Sequence, residues 1–152
     1  NDDQKRSATP AEAIRDGASP GMEHYTHVQR EVQFGDSRFD LFAENETEKC
    51  FAEVKNVTLK EGKYALFPDA VTTRGQKHLK TLMEVKEQGM RAVMLYIIQR
   101  TDVEIFAPAA AIDPGYARLL KEAVGVGVEV IPMMAAVSPE EIELLKKLPF
   151  EI

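Results

Sequence analysis

The chain has 152 residues, is 44% apolar and 29% charged, and carries a net charge of −6 with a single cysteine. This composition fits one soluble globular domain able to bury a core. It excludes a disulfide framework, a cysteine-rich zinc site, a bilayer-spanning apolar run and a surface coated in positive potential.

Residues 1–27 show no apolar N-terminal run, so no signal peptide is visible, and the cytoplasm is the expected compartment. They are expected to be a leader or the remnant of a preceding segment, with a short helix over Ala11–Asp16 ended by Gly17. From Val28 the periodicity becomes two, and residues 28–152 are expected to form the domain. Val28–Phe34, Arg38–Ala43 and Cys50–Leu59 read as three antiparallel strands joined by a Gly35-Asp36 turn and a polar loop over Glu44–Glu48. Lys60–Thr72, with Gly62 and Pro68 and no helical stripe, reads as a loop. Thr73 opens a helix to about Gln88, with Leu79, Leu82 and Met83 facing inward and Gly89 as its stop. Ala92–Ile98 is a continuous apolar run, the pattern of a strand buried on both faces. A short strand over Val103–Phe106 follows. Asp113-Pro114 caps a helix over Gly115–Val124, and Val126–Ile131 is the next strand. Ser138-Pro139-Glu140-Glu141 has the form of a capping box opening a last helix to Leu148. The expected fold is α/β, a mixed β-sheet flanked by helices.

Charge is unevenly distributed. Asp36–Glu53 holds six acids and two bases, whereas Val71–Arg100 holds six Lys or Arg and two Glu. Two readings stand: two solvated faces, or an acidic metal pocket beside a basic groove for a polyanion. Within the acidic stretch, pairing the second and third strands about a loop centred near residues 46–47 sets Asp40 beside Glu53. Strand alternation puts Glu53 and Lys55 on one face with Phe51 and Val57, and turns Ala52 and Val54 to the other. Two carboxylates a few ångströms apart repel by about 4 kcal/mol at an effective dielectric of ~20, so a proton or a cation between them is expected. Hard oxygen ligands suit Mg²⁺ or Mn²⁺; Asp40, Glu53 and the Val54 carbonyl form the candidate set, with Glu31 as a third carboxylate or simply a solvated strand residue. Lys55 would orient or help activate a water, or stabilise charge at phosphorus. Acid-x-Lys itself recurs four times in the chain, and a surface ion pair is the competing reading. At the start of the long helix, Thr73-Arg74-Gly75-Gln76 forms a capping box, or Arg74, Gln76, Lys77 and His78 face a phosphate. His24 and His27 read as exposed, and Cys50 as a core residue.

Three blocks carry a resemblance: Arg38-Phe39-Asp40, the run from Glu53 to Leu59, and the run from Phe67 to Leu79. With them the chain resembles the sugar fermentation stimulation protein A family over roughly residues 25–150. That family's C-terminal domain is similar to the PD-(D/E)XK nuclease superfamily and follows an OB-like N-terminal domain, for which 27 residues are too few. The resemblance implies a restriction-endonuclease-like core, with Asp40, Glu53 and Lys55 at the metal and catalytic positions. It also puts Gln76 where related nucleases often carry a glutamine, and makes DNA the partner. Phe39 stands where the superfamily motif has proline. The expected function is a DNA-binding protein with a Mg²⁺- or Mn²⁺-dependent nuclease site. The alternative is a non-catalytic DNA-binding regulator of sugar utilisation genes. Whether the chain forms a homodimer is left open.

Overall fold

The computed structural model describes residues 6–152. The three expected antiparallel strands are present as β2 (His27–Phe34), β3 (Ser37–Glu44) and β4 (Lys49–Val57), following β1 (Arg6–Ser7) and α1 (Pro10–Arg15). Gly35, at a φ of 56°, makes the two-residue turn between Phe34 and Ser37, a backbone conformation that costs glycine nothing. In the β3–β4 loop the Asn45 side chain accepts hydrogen bonds from the Thr47 and Glu48 amides. Helix α2 (Thr73–Glu87) leads into β7 (Arg91–Ile98), which pairs in parallel with β4. Helix α3 (Pro114–Gly125), capped by Asp113 as expected, leads into β9 (Glu129–Val137), parallel to β7. The chain thus forms the expected mixed sheet flanked by helices. Its seven strands run β1, β10, β9, β7, β4, β3, β2, where β10 is Ile142–Lys147.

Two apolar layers sandwich the sheet. Phe39, Phe51, Met94, Tyr96 and Ile98 pack with Leu79, Leu82 and Leu120 of α2 and α3. Leu41, Cys50, Ala52, Val93, Leu95 and Ile97 pack with Ala11 and Ile14 of α1. β7 supplies both layers, which is why its sequence shows no alternation.

Two expectations are corrected. The last helix is instead strand β10. Ser138 Oγ does accept from the Glu141 amide as a helix cap would, but the Ser138 amide also donates to the Glu141 carbonyl, closing a hairpin turn. Ile142 and Leu144 are then buried at alternate positions, a strand period, beside Ile14 and Met133. The supposed loop over Lys60–Thr72 holds two strands, β5 (Leu59–Glu61) and β6 (Tyr64–Phe67), turned at Gly62 with a φ of 60°. With β8 (Ile105–Pro108) they form a second, three-stranded sheet. Strands of three or four residues offer too little periodicity to read. Residues 6–27 pack onto the domain: β1 extends the sheet edge beside β10, and Ala11, Ala13, Ile14 and Met22 are buried in the core. Residues 1–5 of the expected leader lie outside the described residues. Among the described residues, no helix is long and apolar enough to cross a membrane.

Because Ile14 is fully buried between α1 and the sheet, Ile14→Ala is expected to destabilise the domain by about 2–5 kcal/mol in urea denaturation, where a mere leader residue would have no effect.

Candidate active site

β3 and β4 pair from Glu44 opposite Lys49 to Leu41 opposite Ala52, the register that sets Asp40 across from Glu53. At that pair side chains replace the backbone ladder. The Asp40 amide donates to Glu53 Oε1 at 3.1 Å, and the Val54 amide donates to Asp40 Oδ2 at 2.8 Å. On the other side of β3 the strand turns over. Leu41 belongs to the layer under α1 but Phe39, two residues away, to the layer under α2. On β2, Val28 and Val32 show the same change of face. The hinge of this turn is Glu31, at a left-handed φ of 57°. Such strain in a non-glycine residue is of order 1–3 kcal/mol and clusters at functional sites.

Glu53 and Lys55 share the α2 face with Phe51 and Val57, as strand alternation demands. Glu53 is only 3% exposed. Its Oε2 lies 3.5 Å from Lys55 Nζ and 2.6 Å from His78 Nδ1. Burial, and after it the Asp40 charge, push the Glu53 carboxyl up to about 7. Burial, followed by the Lys55 and Arg74 charges, holds His78 down at about 4. The set offers hard oxygens from two carboxylates, one of them a buried acid that is costly to ionise alone, which fits a small divalent cation.

Glu31 lines a cleft of about 310 Å³ together with Asp40, Arg30, Val54, Asn56 and, from α1 and its cap, Thr9 and Pro10. Among the described residues no group of three or more His, Cys, Asp or Glu side chains is gathered to hold an ion, so Asp40 and Glu53 stand as a pair. The helix of this wall is legible from sequence, as the short helix expected over Ala11–Asp16, but its packing against the cleft is not, because nothing local ties residues before Val28 to the sheet.

The four residues expected to face nucleic acid go to different places. Arg74 is exposed on the first turn of α2. Lys77 Nζ donates to the Asp36 carbonyl at 3.1 Å. Gln76 Nε2 donates to Asp113 Oδ1, while Asp113 Oδ2 accepts from the Thr72 amide, so this glutamine ties α2 to α3. The capping box starting at Thr73 is shifted: Thr72 is the cap, accepting from the Gly75 amide, and Gln76 takes no part in it. His78 is buried under α2 with its ring centroid 6.0 Å from that of Phe39. The anchoring role of Asp113 was visible only in part, as the cap of its own helix.

The two shifted groups oppose each other in the cation-free protein. Between pH 4.5 and 6.5, their ordinary values, the native state keeps a proton on Glu53 that the unfolded chain loses, so this group weakens folding as pH rises. The unfolded chain keeps a proton on His78 that the native state does not, so this one strengthens folding as pH rises. Glu53→Gln should therefore gain stability with rising pH across this window, and His78→Asn should lose it, each by at most about 1.4 kcal/mol per pH unit. Urea denaturation in chelator at several pH values measures both slopes.

The family model for the sugar fermentation stimulation protein RE domain matches residues 4–141. The sugar fermentation stimulation protein homolog of Geobacter metallireducens is 52% identical over 140 residues, covering 91% of this chain and 60% of that protein. The homolog of Shewanella halifaxensis is 44% identical over 151 residues, covering 97% and 64%. The structure of Pyrococcus furiosus SfsA in complex with Ca²⁺ superimposes with a TM-score of 0.85 at 34% identity, over 93% of this chain and 62% of that one. The chain thus spans about 60% of the length of the first of these relatives. With a matching model over most of its length and relatives at such identity, the chain belongs to the sugar fermentation stimulation protein family.

Proposed function

We propose that this domain is a divalent-cation-dependent nuclease centre that cleaves DNA phosphodiesters. The observation that carries the reading is the convergence of Asp40, Glu53 and Lys55 where the β3–β4 ladder gives way to side chains. A pure binding surface for a polyanion gains nothing from two adjacent carboxylates. Supporting it are the family model's description as an RE domain and the Ca²⁺ bound to the Pyrococcus relative, a hard divalent ion. The acidic net charge does not oppose the reading, since a cation at the carboxylates reverses the field felt by a phosphate.

Asp40, Glu53 and the Val54 carbonyl would hold the ion. When bound, Mg²⁺ or Mn²⁺ supplies a Lewis acid for a phosphoryl oxygen and a lowered pKa for a coordinated water. Lys55 Nζ, next to Glu53, positions the attacking water and faces the negative charge that grows at phosphorus. A water gives up one proton to solvent as its oxygen bonds to phosphorus, the P–O ester bond breaks, and the departing oxygen takes up one proton from solvent, so no net proton is gained or lost in the step. Arg74, exposed at the start of α2, is placed to meet the strand's phosphates. The cytoplasm remains the compartment in which such a centre would meet DNA.

In assays on plasmid and single-stranded DNA with Mg²⁺ or Mn²⁺, the wild-type domain is expected to cleave and Lys55→Ala to be slower by about 10²-fold or more. Cleavage untouched by Lys55→Ala would be a contaminant's. Salt-dependent DNA binding without cleavage would assign the chain to the non-catalytic regulators.

A further inference from the structure

We propose that His78 is a positioning residue whose buried Nδ1 holds the Glu53 carboxylate in the orientation needed to receive a divalent cation. This rests on the cation reading of the Asp40–Glu53 pair and adds a side chain that touches neither cation nor DNA. His78 is 4% exposed, so it cannot form part of a nucleic-acid surface. Its Nδ1 is buried and makes no properly angled hydrogen bond, and Glu53 Oε2 lies 2.6 Å away. A buried polar nitrogen set against a carboxylate oxygen without a well-angled hydrogen bond is rare enough to need a reason.

The reason lies in how Glu53 is held. Oε1 is fixed by the Asp40 amide at 3.1 Å. Oε2 would otherwise be steered only by Lys55, 3.5 Å away on a flexible stem. An imidazole has two side-chain torsions, and this one is packed on Phe39, so it restrains the carboxylate more tightly than an ammonium does. The ring is itself fixed from behind. Asp113 accepts from the Thr72 amide and from Gln76 Nε2, pinning the first turns of α2 to α3. Groups that orient a ligand carboxylate without touching the ion commonly govern affinity.

The test is calorimetric titration of the intact chain with Ca²⁺ alone, beside thermal unfolding in chelator to confirm folding. The variants are His78→Leu, which fills the space without a donor, and His78→Asn, whose amide nitrogen occupies about the place of Nδ1. His78→Leu is expected to weaken Ca²⁺ binding about 10-fold or more, and His78→Asn to stay within about threefold of wild type. His78→Gln, with its amide at the place of Nε2, should follow Leu and replaces it if Leu does not fold. The role is overturned if Leu or Gln binds as wild type does, or if Asn is weakened as much as they are. A wild-type chain that takes up no Ca²⁺ instead overturns the cation reading itself, and this role with it.

Discussion

The proposed function of this domain depends on a local exchange in the β3–β4 hairpin. For four residue pairs the strands bond backbone to backbone, and at the fifth, Asp40 and Glu53 each take one of the other strand's amides with a carboxylate oxygen. The amides stay satisfied, so the ladder can open without orphaned donors. The opening lets β3 and β2 turn over together at Asp40 and Glu31, and creates the cleft walled on one side by α1. Two acids are therefore both the structural fastening of the hairpin and the candidate ligands.

That double duty is electrostatically uncomfortable. Glu53 occupies a row otherwise filled by Phe51 and Val57 and is 3% exposed, so bulk solvent does little to disperse a charge on it. Lys55 offsets part of the penalty, but His78 is itself kept neutral by the same burial. Under the proposed reading a divalent ion between the carboxylates would relieve both the desolvation and the repulsion, which makes the cation-free protein the more strained state.

The hairpin was legible from sequence because period-two alternation and a polar loop fix register by simple arithmetic; Asp40 and Glu53 fell opposite each other for that reason alone. The long helix was legible from Leu79 and Leu82. The misreadings have physical sources. Ser138-Pro139-Glu140-Glu141 satisfies the same local hydrogen bonds whether a helix or a hairpin follows, and only the partner available to Ile142 and Leu144 decides between them. Gln76 gave equal support to capping and to ligand binding, whereas its bond to Asp113 depends on a residue 37 positions away. Residues before Val28 read as a leader or the remnant of a preceding segment because the burial of those described comes from sheet faces assembled much later in the chain.

The pairing of Arg6–Ser7 with Glu143 and Ile142 has a consequence for biosynthesis. The strand that shields β10 on the sheet's margin lies more than a hundred residues ahead of it in the chain. A ribosome releasing the polypeptide must deliver more than a hundred residues before the margin can close. Until then the exposed side of β9 is open to pairing with another nascent chain, and contacts of such long sequence separation form slowly. Expression is therefore expected to be most vulnerable to aggregation in that interval, when chaperone cover would matter most.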